Sequence, residues 1–541
     1  MLKRNQNLKQ MLNEKVIKPE LVNALNIPKP NTVNREGFSA YELDKWLKLL
    51  SILNTSKFEK QFYRDKSELV YELFDLVKVC AIENVYLTAQ CIVYSRCVAS
   101  GMRTINNLAA AFLAPYLSGL SWSKDFFSKW DKKKEVGGLI FRPTDMNEIA
   151  EFYQFGENSP KLTNSMKKGF ANAIEKMDTY TILKYKRVLV DLINLVHPNI
   201  KNSTATIEFD GKEYNAIDAI MKGIKVSADT WEVAQVTAGQ EVAQAVKDGK
   251  ISEDEAEVIL KEAKAENWSG LLKDGKLPTL AALRNIRNIL DTVTDVETIN
   301  LLCDILSNSK NILDGKIMPF QIDLAYEVVI TECNTSFSRL VQDALLKGYE
   351  ASIPNLTEVF KGNNLVIIDM SGSMCKAITN GKGSTYKSSC LDKASLIGCT
   401  IAKATNADII RFGSYGEYIN YDINQNVFAL AKSIQTEMGG TSLMCAWRIA
   451  TTQNRKYDRV FILSDNECNI GNSYESYKEY VQKVGNPYVY SIDLCGYGTT
   501  QLVGERVKYL YGYGLNIFND ILNSEFNAED HLDKVKQIKF K

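Results

Sequence analysis

Asn363-Asn-Leu-Val-Ile-Ile-Asp-Met-Ser-Gly-Ser-Met374 is the stretch whose reading decides the fold. Its apolar residues, Leu365 to Ile368, run without alternation, as in a strand buried on both faces of a parallel sheet. The run ends in Asp369, and Ser371 and Ser373 follow at alternate positions. A loop leaving a strand end can aim residues i, i+2 and i+4 into one hollow, and here all three carry oxygen. Gly372 is expected to let the backbone turn sharply between the serines. One carboxylate with two hydroxyls is a hard, weakly charged oxygen set. It suits Mg²⁺, which keeps several waters and takes one or two carboxylates, better than zinc, which prefers nitrogen and sulfur.

Taken alone, Asp-x-Ser-x-Ser is equally well an ordinary turn. Two later stretches bear on it. Thr441 lies in Met438-Gly-Gly-Thr-Ser-Leu443, a glycine-hinged loop ahead of a helical pattern. Asp465 follows a second apolar run, Val460-Phe-Ile-Leu463, within Ser464-Asp-Asn-Glu467. After Pro354, short apolar strands alternate with helical stretches. Strands are expected at Leu365–Asp369, Ile409–Phe412, Val460–Leu463 and Tyr488–Ile492, with helices from Leu391, near Phe428, from Leu443 and near Tyr477. That alternation predicts a doubly wound α/β fold, in which ligands bind beyond the carboxyl ends of the strands. Asp369 and Asp465 both stand at such ends.

Asp369, Ser371, Ser373, Thr441 and Asp465 together resemble the metal-ion-dependent adhesion site of a von Willebrand factor A domain. The resemblance implies one divalent cation, Mg²⁺ or a relative, held by these five residues partly through water. It would serve recognition: an ion with so little negative charge around it stays electrophilic and can take a partner's carboxylate or a phosphate.

Residues 1–38 are polar with Pro19, Pro28 and Pro30, and read as an arm with at most one short helix. Residues 39–355 are helical in pattern. Leu43, Trp46, Leu47, Leu49 and Leu50 share a face, as do Leu69, Leu73, Leu76 and Val77, and the spacing returns at Leu87, Cys91 and Ile92. Many helices with short polar joints suggest an α-solenoid of HEAT-like helix pairs, without a crisp sequence repeat. Ser203 to Tyr214 interrupts them with alternating Thr-Ile-Phe and an Asp210-Gly211 turn, the mark of a β-hairpin. Residues 356–541 form the α/β part.

The helical part carries a resemblance of its own. Lys161-Leu-Thr-Asn-Ser-Met-Lys-Lys-Gly-Phe-Ala-Asn-Ala-Ile174, then Leu183-Lys-Tyr-Lys186 and Leu192-Ile-Asn-Leu-Val-His-Pro198, resembles the TROVE module of the Ro autoantigen family. Leu277 to Ile286 is similar to that family's Leu-Arg-Asn helix, and Met318-Pro-Phe320 to its Pro-Phe helix start. The family's glycine-rich early stretch is here Asn54 to Tyr63, without glycine, and the segment between Lys186 and Asp191 is shorter than usual. The resemblance implies a closed helical ring followed by a von Willebrand factor A domain. It also implies binding of small noncoding, Y-like RNA and of single-stranded 3′ ends of misfolded RNA, scaffolding quality control with a nuclease or another protein partner.

Local charge agrees with that implication. Residues 161–190 hold seven basic side chains (Lys161, Lys167, Lys168, Lys176, Lys184, Lys186, Arg187) against two acidic ones. A basic stripe holds phosphates without regard to sequence, although a run of lysines is as often a solvated helix face. Arg103, Lys201 and His197 are further candidates; a histidine before proline is otherwise a capping or packing residue. The chain as a whole is balanced, with formal charge +0 and pI near 6.8, so no global basic field announces nucleic acid.

The remaining composition sets limits. The eleven cysteines contain no CxxC or CxxxC pair and lie in apolar contexts, as reduced buried thiols in a cytoplasmic protein would. No apolar core follows the basic N-terminus, so no secretory signal is read. The most apolar window, Leu108 to Leu120, is short and interrupted by Pro115, so a soluble protein without a membrane span is expected. Catalysis finds little support. A phosphotransferase loop wants a second carboxylate where Ser371 stands, only His197 and His531 exist for a hydrolase, and no nucleotide-binding glycine motif occurs. The expectation is a non-catalytic RNA-binding protein, the alternative a metal-dependent protein-interaction scaffold without RNA.

Overall fold

The computed structural model describes residues 28–56, 61–99, 102–131, 134, 136–155, 160–224, 242–248, 250–315, 317, 319–352, 360–375, 377–378, 388–512, 517, 520–521 and 531–540. They fall into two compact units. One gathers described residues of Met1–Leu117, Lys133–Val136 and Pro354–Lys539, the other those of Ser118–Lys132, Gly137–Ile353 and Phe540–Lys541. The structure differs from the sequence boundary at residue 39, because residues 28–117 group with the sheet rather than with the later helices.

The sheet has six strands in the order Gly416–Ile419, Asp408–Phe412, Asn364–Asp369, Arg459–Ser464, Tyr488–Asp493, Val507–Tyr511. All pairings are parallel except that of the Gly416–Ile419 edge. Every residue of Asn364–Asp369 is buried, as the unbroken apolar run requires. From this central strand the chain moves first to Asp408–Phe412 on one side and later to Arg459–Ser464 on the other. The order therefore reverses at the carboxyl end of Asn364–Asp369, where such sheets open a crevice.

The four expected strands are all present. The two edge strands lack the same signal because Gly416–Ile419 is only half-buried and Val507–Tyr511 alternates with polar residues, so neither makes an apolar run. The helix Cys390–Thr405 starts in a capping box between Ser389 and Asp392. It packs closely on the central strand at Gly398, where an added Cβ would lie 2.6 Å from Ile368 Cδ1.

Residues 1–27 of the N-terminal arm lie outside the described residues, and its described part enters a hairpin. Thr32–Val33 pairs with Ser39–Glu42, which pairs in turn with Thr499–Thr500 of the sheet unit. The helix Lys45–Thr55 buries Trp46, Leu49, Leu50, Ile52 and Leu53, while its Ser51 hydroxyl lies 3.3 Å from the buried Asp493 carboxylate. Lys66–Val93 is one helix with a break in backbone geometry at Asn84, continued by the π-turn Tyr94–Val98. Together, Lys66–Val98 is long and apolar enough by composition to cross a membrane, unlike the shorter Leu108–Leu120 window. Its Leu69, Leu73, Val77, Cys80 and Leu87 are buried in protein, as in the core helix of a globular unit.

The other unit is predominantly helical. Asn164–Glu175 starts at a Thr163 cap, Thr179–Lys184 at an Asp178 cap, and Lys186–Val196 follows. Glu253–Lys273 opens with a Ser252/Glu255 capping box and buries Trp268. The expected hairpin is present as Thr206–Phe209 paired with Lys212–Asn215. Asp210 and Gly211 both take left-handed geometry, with φ of 51° and 67°, which suits a two-residue turn. The chain thus combines a helical part with a C-terminal mixed sheet, as its pattern predicts.

Candidate functional site

Asp369 and Asp465 end adjacent parallel strands, and both are buried, at 0 % and 1 % exposure. Asp369 Oδ1 accepts the Ser371 N–H at 2.9 Å, which folds the loop back on the strand end. Its Oδ2 accepts the Ser464 hydroxyl at 2.5 Å. The Ser371 and Ser373 hydroxyls lie 3.1 Å apart, and Ser373 stands beside Asp465. Among the described residues, Asp465 Oδ2 has no hydrogen-bond partner.

The loop carrying Thr441 is stitched to both strand ends. Met438 N–H donates to Met370 O at 2.9 Å, and Gly372 N–H donates to Gly439 O at 2.9 Å. Thr441 N–H donates to Asn469 Oδ1 at 2.8 Å, and its carbonyl accepts from Asn469 N–H at 2.9 Å. Gly439 sits at φ +75°, the left-handed turn that the glycine hinge predicts. Gly372 does not: it lies outside the left-handed region and an added Cβ would meet only ordinary contacts, so the sharp turn there needs no glycine.

Burial makes ionisation of these carboxyls costly without a counter-charge. Burial, and then the neighbouring Asp369, push the Asp465 carboxyl up to about 7. Burial likewise raises Asp369. Glu467, unassigned by sequence reasoning although it stands in the quoted Ser464–Glu467 run, is raised to about 8 by burial and then by Asp465. Two adjacent buried carboxyls with an orphaned oxygen and two hydroxyls fit a hard divalent cation. No group of three or more His, Cys, Asp or Glu side chains suited to a metal occurs among the described residues, so a cation here would rest on a hydroxyl-rich set.

Sequence reasoning also missed what covers these loops. The hairpin tip at Asn34–Phe38 docks on them: Asn34 Nδ2 donates to Cys468 O at 2.7 Å, and Arg35 N–H donates to Glu467 Oε2 at 2.8 Å. The Tyr63 ring stands edge-on to Tyr497, with ring centroids 5.6 Å apart. No local sequence signal announces these contacts, which join residues more than 400 positions apart.

The basic candidates lie on the other unit, except Arg103, which belongs to the sheet unit. Lys161, Lys168, Arg187, His197 and Lys201 are exposed, and Lys167, Lys184 and Lys186 half-exposed, so none is spent in a core. Lys184 leans on the Tyr180 ring, 5.6 Å from its centroid. His197 closes Lys186–Val196 in left-handed geometry, its N–H donating to Ile193 O at 2.9 Å, so its backbone is a helix cap while its ring stays in solvent. Glu175, the nearby acid, is occupied with Asn199 N–H at 2.7 Å and Asn202 at 2.9 Å.

A parallel-centred sheet with an oxygen-lined crevice, joined in one chain to a helical unit with an exposed basic face, is a two-part architecture with solved precedent. The structure matches the crystal structure of Deinococcus radiodurans RO (RSR) protein with a TM-score of 0.54 and 15% identity, over 89% of this chain and 99% of that one. Residues 235–346 match the family described as TROVE domain. Curated proteins gave no sequence match. The chain therefore shares the fold of that protein, and residues 235–346 of it are similar to the TROVE domain.

Proposed function

We propose that this chain is a non-catalytic RNA-binding protein. Its helical unit holds small structured RNA of the Y-like kind and single-stranded 3′ ends of misfolded RNA, in a cytoplasmic quality-control role. Its sheet unit holds Mg²⁺ or another divalent cation through Asp369, Ser371, Ser373, Thr441 and Asp465. When bound, the ion supplies a Lewis-acidic position for a carboxylate or phosphate oxygen, such as one on a nuclease partner. The observation that carries the RNA reading is the solvent-facing basic run from Lys161 to Lys201 in a chain with a TROVE match.

Phosphate binding through lysine and arginine releases counterions, so affinity falls steeply with salt. Replacing Lys168 and Arg187 by Ala should weaken binding of a structured RNA uniformly across sequences. The log–log salt slope should flatten by about 0.7–0.9 for each phosphate that is no longer neutralised. Asp369→Ala should leave this binding unchanged. Wild-type affinity and slope in the double variant would sink the RNA reading and favour the alternative, a metal-dependent protein scaffold, for which the oxygen cluster is the supporting observation.

A further inference from the structure

Two sulfurs meet beside the oxygen cluster. Cys390 Sγ and Cys495 Sγ lie 3.1 Å apart, one thiol donating to the other, although the residues are 105 positions apart in the chain. No CxxC spacing announces the pair; packing alone creates it. Cys390 is the first residue of the helix Cys390–Thr405, and Cys495 stands in the loop after the strand Tyr488–Asp493. Both positions are held by their backbones. Leu391 N–H donates to Met374 O at 2.9 Å, at the end of the loop that carries Ser371 and Ser373. Cys495 N–H donates to Asp493 Oδ1 at 2.8 Å, and Leu494 N–H donates to Ser464 O at 3.1 Å, next to Asp465. The sulfur contact therefore joins the neighbours of both loops that build the crevice.

We propose that Cys390 and Cys495 are a redox-active dithiol, which hydrogen peroxide converts to an intramolecular disulfide that locks the helix start to the strand-end loop. A disulfide needs its sulfurs about 2.05 Å apart, so two side chains that already face each other close by about 1 Å. The hydrogen bond to Cys390, and then burial, hold the proton on Cys495, so Cys390 attacks first. Its sulfur takes one peroxide oxygen as the O–O bond breaks, and its proton leaves with the departing hydroxide as water. The Cys495 sulfur then displaces hydroxide from the Cys390 sulfenic acid. The S–S bond forms, the S–O bond breaks, and the Cys495 proton completes a second water. Two thiols are oxidised and one peroxide is reduced. At 4 % and 5 % exposure the residues admit an oxidant of water's size rather than a bulky disulfide. Cys375 and Cys445 are more exposed, but their thiols meet the carbonyls of Ser371 and Ser442, which makes them the internal comparison. In a reducing compartment such a bond is transient and redox-sensing.

The test treats the full-length protein with hydrogen peroxide, quenches it with catalase, alkylates the remaining thiols in denaturant and maps the peptides without reductant. A peptide joining Cys390 to Cys495 should appear, and dithiothreitol should release it. In Cys495→Ser, dimedone should trap a sulfenic acid on Cys390, whereas in Cys390→Ser the Cys495 thiol should remain alkylatable. Oxidised wild type should unfold at a higher denaturant concentration than the reduced protein, because the bond closes a loop of 105 positions in the unfolded chain. Cys495→Ser should show no such shift. Recovery of both Cys390 and Cys495 as free thiols from peroxide-treated wild type overturns the proposal, whatever happens at Cys375 and Cys445. Cross-linking of either residue to a different cysteine overturns it as well. Both of these outcomes are read on the wild-type chain, so they stand even where a serine variant fails to fold.

Discussion

Asp465 carries the tension of the crevice. It is buried beside Asp369, its carboxyl is raised to about 7, and one of its oxygens has no partner among the described residues. In the absence of a cation, holding a charge there costs stability, because an unmet buried carboxylate pays the desolvation of its ionised form. Asp465→Asn removes the charge and keeps the shape. It should raise stability in chelator by about 1–2 kcal/mol and abolish stabilisation by Mg²⁺. Thermal unfolding with and without the ion measures both. A variant that Mg²⁺ still stabilises like wild type would remove Asp465 from the site. Gly413 is a steric counterpart: an added Cβ would fall 2.6 Å from Met438 O, on the strand of chain that leads to Thr441. Gly413→Ala should therefore cost about 1–3 kcal/mol by displacing that loop, read as a lower denaturant midpoint.

At the scale of elements, the hairpin and the helix Lys66–Val93 form a clamp around one acid. Glu72 bonds Arg64 at 2.8 Å, Lys48 at 3.0 Å and Arg35 at 3.1 Å, and the Arg64 side chain is fully buried. Arg64 also reaches Gly496 O at 3.2 Å and Ser56 Oγ at 2.7 Å, tying the clamp to the loop after Tyr488–Asp493. Burial alone would raise the Glu72 carboxyl, but the charges of Arg64 and then Lys48 outweigh it and hold it below the usual carboxylate range. A depressed native value means the folded state releases its proton before the unfolded chain does. The stabilisation is therefore complete above the ordinary value of 4.5 and is lost as pH falls through the native one. Glu72→Gln should be about 3 kcal/mol less stable at neutral pH, since it leaves a buried guanidinium underpaired, and flatter in stability below about pH 5. Parallel pH profiles for the two proteins would argue against the clamp.

Over the whole molecule, the sheet unit is not the C-terminal segment alone. Residues 28–117 supply the Ser39–Glu42 strand paired with Thr499–Thr500 and the Ser51 hydroxyl on Asp493, and Gln90 Nε2 donates to Ile538 O at 2.7 Å. A fragment of residues 356–541 would leave those groups in water and would lose the helix Lys45–Thr55 that packs against Val507–Tyr511. At about 1.5–3 kcal/mol for each large apolar side chain uncovered, the loss rivals the stability of a domain. The isolated fragment should unfold at a much lower denaturant concentration than the same unit in the full chain, and residues 28–117 added in trans should recover part of the difference. Equal midpoints would show that the N-terminal residues only decorate the unit.

What the sequence determined by itself is whatever short-range pattern encodes. Leu365–Ile368 and Val460–Leu463 read as buried strands because both faces are covered, and Asp369 and Asp465 read as site residues because strand ends open the crevice. The Asp210-Gly211 turn was legible for the same local reason, since only certain residues accept left-handed geometry there. The tertiary structure decided the rest. That Asn34 and Arg35 dock on Cys468 and Glu467, and that residues 28–117 join the sheet, depend on contacts across more than 400 positions. No periodicity records such contacts, because a polar hairpin tip reads alike whether it meets water or a buried carboxylate until the rest of the chain has packed around it.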